Sequence, residues 1–311
     1  MRTAFIRALE EAASADPRVT LVVGDLGYSV IESFAERFPR QFLNVGVAEQ
    51  NMAGVAAGLA LSGRIVFTYS IANFPILRCL EQIRNDICYH KVNVKIVAVG
   101  GGFAYGTLGV SHHATEDLAI MRALPEMTVV APGDPTEAGG ATRAIVAHPG
   151  PCYLRLGKAG EPVIHPAGTS FELGKAIQVR PGTDLTLVVT GGMLANAVLA
   201  AEELAKQLGV QARVLSMHTL KPLDEAAVMR AARETGMIVT IEEHSLVGGL
   251  GSAVADLLAH SELNVRFRAL GLTSRFHPVV GSQDYLRAQH GLSVAGLVAS
   301  VASRLAVRSR D

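Results

Sequence analysis

FLNVGVAEQNMAGVAAGLALSG, residues 42–63, changes its residue pattern part-way along. Phe42, Leu43, Val45 and Val47 supply apolar residues with β character. Ala53, Ala56, Ala57, Gly58 and Ala60 then allow close packing without bulk. The stretch reads as strand, short turn and tightly docked helix. Glu49 falls in the first helical turn, where the helix dipole favours an ionised acid, and that alone accounts for a Glu at a helix start.

Moving outward, short β-rich runs alternate with helical segments: TLVVGDL, FLNVG, IVFTYS, VKIVAVG, TVVAP and CYLRL. Such alternation implies a doubly wound α/β domain with a mainly parallel sheet. The Pro- and Gly-rich GEPVIHPAGTS marks a linker, and we set boundaries at 1–159 for the first domain, 160–172 for the linker and 173–311 for a smaller second α/β domain. The second domain repeats the alternation with DLTLVVTGG, ARVLSMH, MIVTIEEH and VRFRALG, around helices at 194–208 and 224–234. LRAQHGLSVAGLVASVASRL is expected to supply the last helix, and only the closing RLAVRSRD, 304–311, reads as disorder-prone.

The 311 residues are 49% hydrophobic and 18% charged, enough for two well-buried cores. Lys plus Arg and Asp plus Glu both number 28, so no net field attracts nucleic acid or an anionic membrane. No apolar run reaches the roughly 18 residues that span a bilayer. MRTAFIRALEEAASADP reads as an amphipathic helix rather than a signal sequence. Cys79, Cys88 and Cys152 lack CxxC spacing and an even count, so a reducing cytoplasm is expected and Cys88 reads as apolar filler.

Neither glycine-rich segment suits a dinucleotide. GGGFAYG has the wrong spacing, and VGGLGSAV has valine at the third position of the fingerprint. Glu242, Glu243 and His244 look like a catalytic cluster, although a satisfied polar network at a strand end explains them better.

In order along the chain stand GDL, GVAEQ, a lone Phe before an EQIR helix, and SHHATED. This series resembles the pyrimidine-binding half of transketolase-family thiamine diphosphate enzymes, and the resemblance spans nearly the whole chain. It implies a thiamine diphosphate pyrimidine-binding domain followed by a transketolase C-terminal-like domain. Glu49 matches the family acid that hydrogen-bonds a ring nitrogen of the cofactor's aminopyrimidine, favouring its imino tautomer. A carboxyl that shares such a proton must be desolvated. Phe74 resembles the aromatic that stacks on the pyrimidine, its other reading being plain core. Asp25 and Leu26 resemble the family's ADL segment at a strand's carboxyl end, and Asp25 reads equally as the cap of the next helix. Arg78, in the segment after Phe74, joins Asp25, Leu26, Glu49 and Phe74 as a cofactor-binding candidate.

GTLGVSHHATED, 106–117, places two histidines before a helix expected to be capped by Thr115. The resemblance puts His112 on the family's catalytic histidine, a residue type suited to moving protons near neutral pH. His113 and Arg155 are candidates for contacting substrate, Arg155 being readable equally as part of an ion pair. Several positions depart from the sugar-transferring members: Gly106, Thr107 and Leu108 stand where they carry GED, and Ala48 and Gln50 replace the Arg and His of GxREH. Another substrate-facing histidine is replaced within Val99–Gly101.

The family's GDG motif, which binds diphosphate and Mg²⁺, occurs nowhere in the chain. A second subunit is expected to carry it, most simply in an α₂β₂ assembly with sites between chains. No metal site is assigned to this chain. The expected activity is two-carbon ketol transfer from a ketose or ketose phosphate to an acceptor by a split transketolase-like enzyme. Alternatives are a decarboxylating carboligase, a deoxyxylulose phosphate synthase-like or 2-oxo-acid dehydrogenase E1 β-type subunit, or a non-catalytic assembly subunit.

Overall fold

The computed structural model describes residues 1–306, so the last five residues of the RLAVRSRD tail lie outside the described residues. Its strands are β1 (Val19–Val23), β2 (Phe42–Asn44), β3 (Ile65–Ile71), β4 (Val94–Val99), β5 (Thr128–Val130), β6 (Cys152–Leu156), β7 (Ile177–Arg180), β8 (Leu185–Val189), β9 (Ala212–Ser216), β10 (Thr219–Lys221), β11 (Met237–Ser245) and β12 (Arg266–Leu272). They form a seven-stranded sheet, β10-β5-β6-β4-β3-β1-β2, and a five-stranded sheet, β12-β11-β8-β9-β7. Both are parallel except at β10 and β7, which pair antiparallel at one edge of each. Every residue of β1, β4, β6 and β8 is buried, as expected of parallel strands covered on both faces.

Covering them are α1 (Arg2–Ala15), α2 (Glu32–Arg37), α3 (Glu49–Leu61), α4 (Phe74–Leu77), α5 (Leu80–Gln82), α6 (Asp117–Ala123) and α7 (Pro135–Ala147) in the first half. In the second are α8 (Leu194–Leu208), α9 (Glu225–Thr235), α10 (Leu250–Ala259), α11 (Gln283–Gln289) and α12 (Val294–Ala306). Phe5 and Leu9 of α1, Phe34 of α2 and Ala141 and Ile145 of α7 pack on one face of the first sheet. Met52, Ala53 and Ala56 of α3 and Leu118 and Met121 of α6 cover the other face, in a core continuous with Val228 of α9 and Leu250 and Val254 of α10. The two α/β units therefore share apolar packing. A third core joins α8 and α12 to β8, β9 and β11.

Three local expectations are corrected. The closing segment forms two helices rather than one, because the chain turns at Gly291 with φ +70°, a conformation that suits glycine. Thr115 does not cap α6: Glu116 holds that position without a side-chain bond. Strands β7 and β10 have no counterpart among the expected runs, and β10 carries the second half of the chain onto the edge of the first sheet.

Candidate active site

Strand β2 runs through residues 45–48 into α3, and α3 starts at Glu49. Glu49 is only 3% exposed. One carboxylate oxygen, Oε2, accepts a hydrogen bond from Arg78 Nη1 at 2.9 Å, and the buried Oε1 has no partner. The same guanidinium lies over the Phe74 ring, with Cζ 4.3 Å from its centroid. His112 meets Phe74 edge-on, the ring centroids 5.2 Å apart. Acid, arginine, aromatic and histidine thus form one contiguous series drawn from α3, the α4–α5 turn and the 106–117 loop.

That loop is closed by a two-way backbone bridge, Gly102 N–H to Ala114 O at 2.8 Å and Ala114 N–H to Gly102 O at 3.0 Å. Gly102 has φ +64°, and a Cβ there would lie 2.6 Å from the Glu243 side chain, so only glycine fits. Asn73 donates from its amide to Ser111 O at 3.2 Å and also to His113 O, tying the residue before Phe74 to the histidine loop. Burial depresses the pKa of His112, whose Nδ1 lies 3.0 Å from Ser111 Oγ. His113 is turned inward, 3% exposed and against Phe103, with its pKa also depressed by burial.

The remaining candidates take different places. Asp25, exposed and with φ +57°, exchanges hydrogen bonds with Asn44, both at 3.0 Å, rather than capping α2. Leu26 lines a cavity of about 180 Å³ with Arg2, Tyr28, Tyr69, Ser70 and Tyr105. This cavity opens at the carboxyl ends of β1 and β3, where the winding of the sheet reverses and α/β folds gather ligands. The buried Ser70 hydroxyl lacks a partner, Arg2 stands beside the Tyr69 hydroxyl and donates from Nε to Lys158 O, and Lys158 Nζ lies 4.8 Å from the Tyr105 ring centroid. Arg155 is taken up elsewhere: it grips Asp117 through Nε at 2.8 Å and Nη2 at 3.1 Å, and Tyr153 donates to the same carboxylate at 2.6 Å.

Arg2, Tyr69 and Asn73 were missed by sequence reasoning. Arg2 alone carries a local signal, since a cation in the first turn of α1 runs against the helix dipole.

Glu242 accepts from the Leu250 and Gly251 N–H groups, each at 2.7 Å, and so holds the start of α10; burial pushes its pKa up to about 7. Glu243 pairs with Arg287 at 2.7 Å and accepts from Phe103 N–H at 3.0 Å. His244 bonds the Ser245 carbonyl, completing a structural network. Burial pushes the Cys79 and Cys88 thiols up to about 12 and about 11, in keeping with inert packing groups. Among the described residues one cluster has metal-like spacing, Asp134, Glu137 and His165. His165 there faces Asp134 through Nδ1 at 3.2 Å and Glu137 through Nε2 at 3.3 Å.

A buried acid with one free oxygen, beside an aromatic ring and a histidine, suits a flat heterocycle that offers a ring nitrogen. With the two α/β units, this defines a subunit carrying the pyrimidine side of a thiamine diphosphate transferase. The family model described as "Transketolase, pyrimidine binding domain" matches residues 1–160, and "Transketolase, C-terminal domain" matches 174–297. The 6-deoxy-6-sulfo-D-fructose transketolase subunit SqwH of Clostridium sp. (strain MSTE9) is 42% identical over 96% of this chain and 92% of its own length. One of the subunits of the apulose-4-phosphate transketolase of Phocaeicola vulgatus is 39% identical over 95% and 94% respectively. A solved split-gene transketolase, described as an inactive β4 tetramer, superposes with TM-score 0.88 at 40% identity, covering 97% of this chain and 96% of that one. The chain belongs to the transketolase family, as a split transketolase-type subunit. No helix among the described residues is long and apolar enough to cross a membrane.

Proposed function

We propose that this chain supplies Glu49, Phe74 and His112 to a thiamine diphosphate site completed by a second subunit, and that the complex moves a two-carbon ketol unit from an anion-ended ketose to an acceptor. The observation that carries the reading is the buried, unpartnered Oε1 of Glu49 in series with Phe74 and His112. Thiamine diphosphate, when bound, supplies the nucleophilic carbon and the electron sink that cleavage beside a carbonyl requires.

This chain's own groups do the rest. Glu49 holds a proton at a pyrimidine nitrogen, and its burial keeps water from competing for that proton. Phe74 presents a ring face for stacking, and Arg78 bridges that ring and the acid. Asp25 and Leu26 would border the cofactor. His112, kept neutral by burial, exchanges a proton with the reacting carbonyl oxygen, with His113 behind it. The cavity beside Leu26 offers the Ser70 hydroxyl, the Tyr69 hydroxyl and the cation Arg2, with no acidic side chain in its lining, which suits a phosphate or sulfonate at the far end of a short ketose. Arg155, committed to Asp117, positions the loop rather than the substrate.

The second subunit carries the diphosphate and Mg²⁺ ligands, in an α₂β₂ complex in the reducing cytoplasm, where the three buried cysteines stay free. Mixing the chain with its cognate partner, thiamine diphosphate and Mg²⁺ tests this. A ketose phosphate should be cleaved and pyruvate should not, and Glu49→Ala should abolish turnover. Full activity in that variant defeats the assignment, and turnover of pyruvate alone would favour the decarboxylating alternative.

A further inference from the structure

Both ring nitrogens of His113 are buried and lack a hydrogen bond of ordinary geometry, the Gly106 backbone being the protein group that acts on the ring. An imidazole in that state bears a desolvation cost that native structures offset with water or another polar group. Beside it lies a cavity of about 60 Å³, bounded by Asn73, Thr115, Glu116, Phe276 and His277. A water occupies about 30 Å³ in the liquid and needs two to four polar partners, so the cavity accommodates one or two. His277 comes from the second domain, after β12, and is 5% exposed. It meets the same Phe103 ring edge-on that His113 does, at centroid distances of 5.4 Å and 5.0 Å.

Resting on the functional reading above, we infer that His277 is a positioning residue: with His113 it holds one or two waters in this cavity, which fix the histidine loop and thereby His112. This water gives the neutral His113 ring a donor and acceptor partner and leads toward the exposed Glu116. Burial depresses both imidazoles. The Gly106 backbone, then Glu116 and Glu243, pull His113 back upward and His112 opposes them, while His290, packed on His277 at a centroid distance of 4.2 Å, and Arg275 push His277 further down. His277 thus joins Glu243, whose carboxylate holds the Phe103 N–H, as a second-domain side chain that reaches the histidine loop across more than a hundred positions of sequence.

The isolated, isotope-labelled chain is followed by NMR of its histidine rings. The His113 ring should show contact with long-lived water and titrate below an ordinary histidine. His277→Leu should remove the water signal and move that titration, whereas His277→Gln, which keeps a polar end, should retain both. In the assembled complex His277→Leu should lower kcat roughly ten- to a hundredfold, leave the donor KM within about twofold and displace the pH profile, with His277→Gln restoring most of the rate. A His113 ring with no long-lived water overturns the proposal. So does a His277→Leu chain in which the titration and pH profile stay where they were. The water signal needs neither cofactor nor partner, so its presence in a chain whose complex is inactive supports the water site while removing the functional reading.

Discussion

Glu49 is the residue on which the chemistry turns, because a carboxylate at 3% exposure persists only with a partner, and its one side-chain partner is the half-exposed Arg78. Glu49→Gln keeps the volume and removes the acid. It should lower kcat of the assembled complex by at least about a hundredfold with the circular dichroism spectrum unchanged, and near-normal turnover would rule Glu49 out as the proton holder. Phe74→Ala removes a stacking face worth about 1 kcal/mol, so calorimetry with partner present should find thiamine diphosphate binding about three- to tenfold weaker. Glu49, Phe74 and His112 could be picked out because each sits in a short local motif. Asn73 could not: its role lies in reaching Ser111 and His113, roughly forty positions on, and a lone Asn carries no periodic signal.

Among elements, the 160–172 segment is anchored by side chains on either side of it. The N-cap of α7, Asp134, accepts from Glu137, Ile164 and His165 N–H groups, and His165 lies between Asp134 and Glu137. Phe171 stacks on His218 with centroids 4.0 Å apart. The connection is fastened to both halves of the chain. Burial acts to lower His165, but Asp134 and Glu137 outweigh it and raise its pKa. Stability from this clamp is therefore complete below the unfolded histidine value, about 6.5, and is lost as pH rises through the folded value. His218 has the opposite sign: burial, aided by the charge of His165, lowers it to about 4, so its contribution is lost as pH falls from about 6.5 toward 4. His165→Leu should destabilise the chain at pH 6 by about 1–3 kcal/mol, because Asp134 and Glu137 lose the cation between them, and burial, which raises the pKa of Glu137, lets that acid take up a proton in its place. The difference in melting temperature from wild type should shrink toward pH 9, and a difference constant across that range would remove His165 from the clamp.

For the molecule as a whole, the half-site and the cavity that Arg2 lines belong to a fold whose two units share a core. The isolated chain should bind thiamine diphosphate weakly and not turn over, with activity rising to saturation as the cognate subunit is titrated in. Activity of the chain alone would refute the divided site. Arg2→Ala should raise KM for an anion-ended ketose about tenfold or more and leave a neutral ketose nearly unaffected, measured side by side in the complex. Equal losses on both substrates would detach Arg2 from the anionic end.

Sequence by itself determined the layered α/β order, because fully buried parallel strands must be continuous apolar runs and the helices between them must offer small or amphipathic faces. It also placed an acid where α3 begins. It was silent on β10, whose three residues Thr219, Leu220 and Lys221 carry no alternation and become a strand only by finding the edge beside β5. Tertiary structure alone decided that Arg78 reaches Glu49, that Arg155 is spent on Asp117 and that His277 stands behind His113. Local periodicity governs contacts within a few residues, while side chains dozens of positions apart are brought together only when burying the shared apolar faces leaves their polar ends no other partners.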